Sequence, residues 1–128
     1  MFGKDAVAIT ITDFKEKIMV MGVNRAVIVG TLGEDPQVQQ TRDGNVIANI
    51  SVITTDYWKD YDTGEDMQNL EQHRVVLSGR LADYASTYLR KGLRAYFEGN
   101  LRTHLVPDEQ GWDRYTTEII AHQVELAG

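Results

Sequence analysis

GRLADYASTYLRKGLRAYFEGNLRT, residues 79–103, changes its hydrophobic period partway along. Leu81, Tyr84, Ala85 and Tyr88 fall at i, i+3, i+4 and i+7, one face of an α-helix, which makes both tyrosines core candidates. Gly92, just past the cations Arg90 and Lys91, is a good helix stop, because glycine suits a C-terminal cap and cations suit the negative end of the helix dipole. From Arg94 the pattern alternates instead. Ala95, Phe97, Gly99 and Leu101 face one way, and Arg94, Tyr96, Glu98, Asn100 and Arg102 face the other. The outer side of that strand therefore gathers bases around Tyr96 in a chain of formal net charge -6. A ring so placed can stack on a nucleobase while the cations hold phosphate.

Outward from this stretch the texture is mostly strand. NRAVIVGTLG (24–33) is β-branched, and its Gly30 predicts a bulge or sharp bend. EDPQ (34–37) is a turn, and RDGN (42–45) carries the Asp-Gly of a hairpin. NVIANISVIT (45–54) alternates, with Val46, Ala48, Ile50 and Val52 on one face. DYDTGED (60–66) is turn-rich, LEQHRVVLS (70–78) is a strand, PDEQG (107–111) is a turn, and WDRYTTEIIAHQVEL (112–126) is a last long strand. The order is three strands, a helix, two strands. It predicts a mainly β chain, a five-stranded OB-fold Greek-key barrel with one helix between strands 3 and 4. Periodicity alone leaves other small α+β folds open. Residues 1–20 read as an N-terminal extension containing a short strand, AVAITIT, and are expected to be dispensable, since the barrel pattern is complete within residues 21–128.

At 128 residues, 42% hydrophobic and 25% charged, the chain suits one globular domain. No apolar run is long enough to span a membrane, and the first residues lack a secretory layout, so a cytoplasmic protein is the simplest fit. Without cysteine there is no disulfide, thiolate nucleophile or Cys-based zinc site. His73, His104 and His122 show no metal spacing. DYDTGEDMQNLE (60–71) is a poor calcium loop, with Gly64 one place early and Glu65 where the glycine belongs. No nucleophile, base and orienter fall together, so neither enzymatic activity nor a cofactor is expected.

GVNRAVIVGTLGEDP, TGE, HRVVLSGRLA, YLRKG, YFEGNLRT and DRYTTE, in this order and spacing, resemble the bacterial single-stranded DNA-binding protein family over about residues 21–125. The resemblance implies an OB fold, a homotetramer, no catalysis, and binding of single-stranded DNA with little sequence preference in replication, repair or recombination. Trp58 matches a stacking aromatic of that family, whereas Gln72, Ser78 and Val106 stand where it has three others. Arg25, Lys59, Arg74, Arg80, Arg90, Lys91, Arg102 and Arg114 match family-like bases, while Gln39, His104 and Leu105 occupy places where bases are common. His73 resembles a residue used between subunits. The family also ends in an acidic-tipped tail that recruits repair and replication enzymes. This sequence stops at Gly128 without one, so those tail-dependent enzymes are not expected as partners.

The DNA-binding set expected is therefore Trp58, Tyr96, Arg25, Lys59, Arg74, Arg80, Arg90, Lys91, Arg94, Arg102 and Trp112, with His73 at a subunit interface. Competing readings stand beside it. Trp58, with Tyr57 and Tyr61, is either a stacking platform or a loop aromatic folded back on the barrel. Arg90 and Lys91 hold phosphate or merely charge a helix end. If the arms flanking PDEQG pair directly, Trp112 sits opposite Val106, and its indole either covers the lost aromatic or stiffens the hairpin. Asp56, Asp60, Asp62, Glu65, Asp66 and Glu71, against Lys59 alone, should repel phosphate. The rival to DNA coating is a family-derived oligomeric interaction protein with weak DNA binding.

Overall fold

The computed structural model describes residues 21–128, so the strand and extension expected within residues 1–20 lie outside the described residues. The elements are β1 (Ala26–Leu32), β2 (Gln37–Gln40), β3 (Val46–Lys59), β4 (Asp66–Ser78), α1 (Arg80–Tyr88), β5 (Arg94–Pro107) and β6 (Asp113–Leu126). β1 runs antiparallel to β5 from Ala26 opposite Gly99 to Thr31 opposite Arg94, then passes to β3, where Leu32 faces Val52. β5 pairs with β6, β6 runs parallel to β4, and β4 pairs with β3. The ring β1-β5-β6-β4-β3 thus closes on itself, which is the expected OB barrel, and β2 flanks it on β3.

The inward alternation fills the barrel. Leu32, Ala48, Ile50, Val52, Val75, Leu77, Ala95, Phe97, Ile119 and Ala121 are buried there, joined by Ala82, Ala85 and Leu89 from α1 and its end. α1 is shorter than its pattern predicts. It stops at Tyr88, and Leu89 takes an extended conformation (φ -94°, ψ 136°), which lets its side chain bury completely. Tyr88 is consequently not a core residue. It is 56% exposed and leans on the half-buried Tyr84, their ring centroids 5.0 Å apart.

Three differences from the sequence reading share one cause. β2, QVQQ, pairs Gln37 with Asn49 and Gln40 with Val46, yet every residue in it is exposed, so no hydrophobic alternation marks it. Likewise β3 continues to Lys59 and β4 begins at Asp66, well beyond the buried positions. Tyr57 and Trp58 therefore stand on a strand, opposite Gln68 and Met67, and not in a loop. Strands held by backbone hydrogen bonds with solvent on both faces leave no period-2 trace in sequence.

Gly30 is not a bulge. It sits in regular register opposite Ala95, and a Cβ added there would lie 2.6 Å from the Ile53 carbonyl oxygen and 2.7 Å from Val52 Cγ1. It marks the close approach of β1 to β3 where the barrel closes. The register shift lies elsewhere, between Glu98 and Gly99, which pair with Gln123 and Ala121, so His122 is the extra residue. At Gly99 a Cβ would come within 2.6 Å of Ala121 Cα and closer still to the Ile120 carbonyl oxygen. Only backbone movement could make room. Gly99→Ala should destabilise the fold by about 3 kcal/mol in urea unfolding, whereas Gly22→Ala, in open space, should stay within about 0.5 kcal/mol. Equal midpoints for the two variants would contradict this account.

Candidate nucleic-acid interface

The outward face of β3, β4, β6 and β5 carries the densest group of the expected residues. Ser51 lies opposite Arg74 and Ile53 opposite Gln72, with the Gln72 amide donating to Ser51 Oγ at 2.8 Å. Across the parallel β4–β6 pairing, Arg74 Nε is 4.0 Å from Glu118 Oε2. Arg102 stands directly opposite Glu118 on β5, and His104 Nε2 lies 3.4 Å from Glu118 Oε1. Alternation puts Ser78 and Val106 on this same face, so the positions that lack aromatics converge on one surface. An open groove beside it runs from Glu34 and Asp35 past Asn49 and Ser51 to Gln72 and Arg74.

The bases around Tyr96 do not form one site. Arg94 and Arg102 are about 26 Å apart along β5 at the usual strand rise. Between them, the Tyr96 hydroxyl donates to Glu98, and Arg25 Nη2 pairs with Glu98 Oε2 at 2.6 Å. Glu98 is only 7% exposed although it points outward, because Arg25 and Tyr96 close over it. A carboxylate that buried is costly without such partners. Tyr96 and Arg25 thus already have an internal partner, and exposed Val27 and Val29 sit opposite Glu98 and Tyr96.

At the end of α1 the Arg90 guanidinium donates to the carbonyls of Ser86 at 2.8 Å and Leu89 at 2.6 Å. It satisfies carbonyls that a helix leaves open, the structural reading of that cation. The Lys91 backbone N–H donates to Asp35 Oδ1 at 2.8 Å, tying the helix end to the turn after β1. Arg80 begins α1, exposed. Lys59 ends β3, 3.6 Å from Asp66, with both side chains in solvent. Trp58 is half exposed over a shallow hollow shared with Tyr57, Met67 and Gln68. His73 is half buried, its Nε2 2.8 Å from Thr54 Oγ1. Among the described residues, no three His, Asp or Glu groups are placed to hold a metal, and no helix is long and apolar enough to cross a membrane.

Trp112 does not face Val106. Pro107 pairs with Asp113, so Val106 lies opposite Arg114, and Trp112 belongs to the loop. The Asp108 side chain makes that loop. It accepts from the backbone N–H of Gln110 at 3.0 Å and Trp112 at 2.9 Å, and from Arg114 Nε at 2.7 Å. The Arg114 guanidinium holds the Asp108 carboxyl below its ordinary value, with the loop N–H groups adding to it. Arg114, a family-like base, is thereby engaged at the hairpin end, and the Trp112 ring is left 73% exposed. Sequence reasoning missed Glu118, the buried acid between Arg74, Arg102 and His104. Its outward phase in DRYTTEII was legible, but its neighbours depend on the β5–β6 register and the β4–β6 pairing.

Comparison with known proteins agrees with this geometry. The model of the Single-strand binding protein family matches residues 23–127. Among solved structures, the chain is similar to the Plasmodium falciparum SSB in complex with ssDNA, at 28% identity and a TM-score of 0.72. The match covers 85% of this chain and 96% of that one.

The Tyr96–Glu98 bond carries a pH signature. The hydrogen bond to Glu98, then burial, then the charge of Glu98 raise the Tyr96 phenol above its ordinary value. Its contribution to stability is complete below the unfolded tyrosine's value and is lost as pH rises through the raised one. In an alkaline titration followed by tyrosinate absorbance, the component missing from Tyr96→Phe should ionise later than an ordinary tyrosine. Ionisation at the ordinary pH would show that the hydroxyl does not hold Glu98.

Proposed function

The chain belongs to the single-strand binding protein family, and from that premise we propose that it coats single-stranded DNA as a cytoplasmic homotetramer, with little sequence preference and no chemistry of its own, in replication, repair or recombination. The observation that carries this reading is the outward face of β3, β4, β6 and β5, where Arg74 lines an open groove and Arg102 stands beyond Glu118 from it, with the exposed Trp58 farther out on the long β3–β4 hairpin. The phosphate backbone lies along Arg74 and Arg102, with Arg80 and Lys59 at the margins. Bases stack on Trp58, a contact that tolerates any sequence because every base has a π-face. Tyr96, Arg25, Arg94, Arg90 and Lys91 form a second tier. Tyr96, Arg25 and Arg90 must each exchange an internal partner before they hold DNA. Trp112, exposed at the tip of the other hairpin, is a further surface for a base. Exposed Val27 and Val29 offer apolar area for subunit contact, together with His73.

The second reading, an oligomeric interaction protein that binds DNA weakly, is favoured by two features. Gln72, Ser78 and Val106 leave the central face without an aromatic ring, and Glu118 places an acid among its bases. Titration with oligothymidine over a range of salt separates the two. DNA coating predicts saturable binding whose logarithm falls with log salt by about 0.7 per phosphate neutralised. The loss of stacking groups predicts weaker and more salt-sensitive binding than a relative with the full aromatic set. Trp58→Ala should cost about 1–3 kcal/mol, more than any other single aromatic replacement. Binding that is absent at low salt, or unchanged in Trp58→Ala, would favour the interaction protein.

A further inference from the structure

The centre of the proposed face holds an arrangement that simple phosphate capture does not need. Glu118 is 7% exposed, yet it lies where the backbone of a polyanion would run. Its two oxygens are shared out, Oε2 toward Arg74 at 4.0 Å and Oε1 toward His104 at 3.4 Å. The His104 contact falls outside hydrogen-bond geometry, and its Nε2 is a buried atom without a hydrogen-bond partner. A neutral imidazole presenting a lone pair there meets the carboxylate with repulsion, whereas a protonated one donates to it. The charged groups facing His104 are Arg102 on its own strand, Glu118 and Arg114 on β6, and Arg74 on β4, with Arg114 committed to Asp108.

We propose that Arg74, His104 and Glu118 form a proton-linked phosphate site, in which Glu118 competes with DNA for Arg74 until His104 takes up a proton and replaces the arginine as partner of the carboxylate. This rests on the single-stranded DNA reading above. With His104 neutral, Glu118 cancels one of the two arginine charges on the face. With His104 protonated, Glu118 is matched by the imidazolium, and both Arg74 and Arg102 are available to phosphodiesters. Binding the polyanion and binding the proton therefore favour one another, and by linkage each strengthens the other equally. His104 acts as a positioning residue: the phosphate is held by the guanidinium that it releases.

The test is the pH profile of oligothymidine affinity at constant ionic strength, from about pH 8 to about pH 5.5, the interval in which histidine changes charge. Oligothymidine is chosen because thymine does not protonate there. In the intact chain affinity should rise as pH falls, with a limiting slope of up to about tenfold per pH unit for one linked proton. His104→Gln should flatten that profile while His73 and His122 remain in both proteins. Glu118→Gln should bind more tightly than the intact chain at the alkaline end and also respond less to pH. Calorimetry in buffers of different ionisation enthalpy should detect proton uptake on binding that His104→Gln lacks. Parallel profiles for the intact chain and His104→Gln, with oligothymidine bound by both, would overturn the proton-linked site and leave the DNA reading standing. No binding at any pH would overturn both.

Discussion

Everything on the molecule's surface is placed by the change of partner that β1 makes at Thr31. Up to that residue the strand belongs to β5, and beyond it to β3. A strand can serve two neighbours in succession only if the sheet coils sharply and the backbones come close, and Gly30 supplies that closeness opposite the Ile53 carbonyl. Closure leaves each barrel strand with one side toward Phe97, Leu77 and the rest of the core and one side toward solvent. α1 then covers one opening, with Leu89 driven in beneath it.

Two acids explain how a chain of net charge -6 organises its bases. Glu98 and Glu118 both point outward and are both buried, and each is buried by the cations around it. Glu98 takes Arg25 and the hydroxyl of Tyr96, while Glu118 takes Arg74 and the edge of His104. An ion pair of this kind contributes little net stability once desolvation is counted, so its main effect is to set where the long cationic side chains rest. The basic strip along β5 is therefore two environments. Tyr96 is locked in the first and the open groove lies beside the second.

The parts of this arrangement that follow from local pattern were legible in the sequence. The alternation of Ala95, Phe97 and Gly99 against Arg94, Tyr96 and Glu98 describes β5 as far as Gly99, although Leu101, expected with the inward set, is 49% exposed, and the helix stripe of Leu81, Tyr84 and Ala85 describes α1. Motif spacing led to the barrel and to its family. What escaped depends on distant pairing or on solvent-exposed ladders. QVQQ looks like a loop because nothing in it is buried, and Trp58 looked like a loop residue for the same reason. The β5–β6 register turned on the Asp108 carboxylate, which gathers the loop around itself and puts Arg114, not Trp112, opposite Val106. The companions of Glu118 come from two other strands, β4 and β5, and no window of sequence contains them.

The parallel β4–β6 contact also sets an order in time. β3 with β4, and β5 with β6, are hairpins whose strands meet across short connections. Joining Val75 to Ile119, or Ala26 to Gly99, means closing a long stretch of chain, whose entropy must be lost before the contact returns anything. By sequence separation alone the hairpins precede the ring. Arg74 and Glu118 belong to different hairpins, so in the nascent chain neither has the other. Their face comes into being only with the step that completes the barrel, which ties its appearance to the closure of long-range contacts.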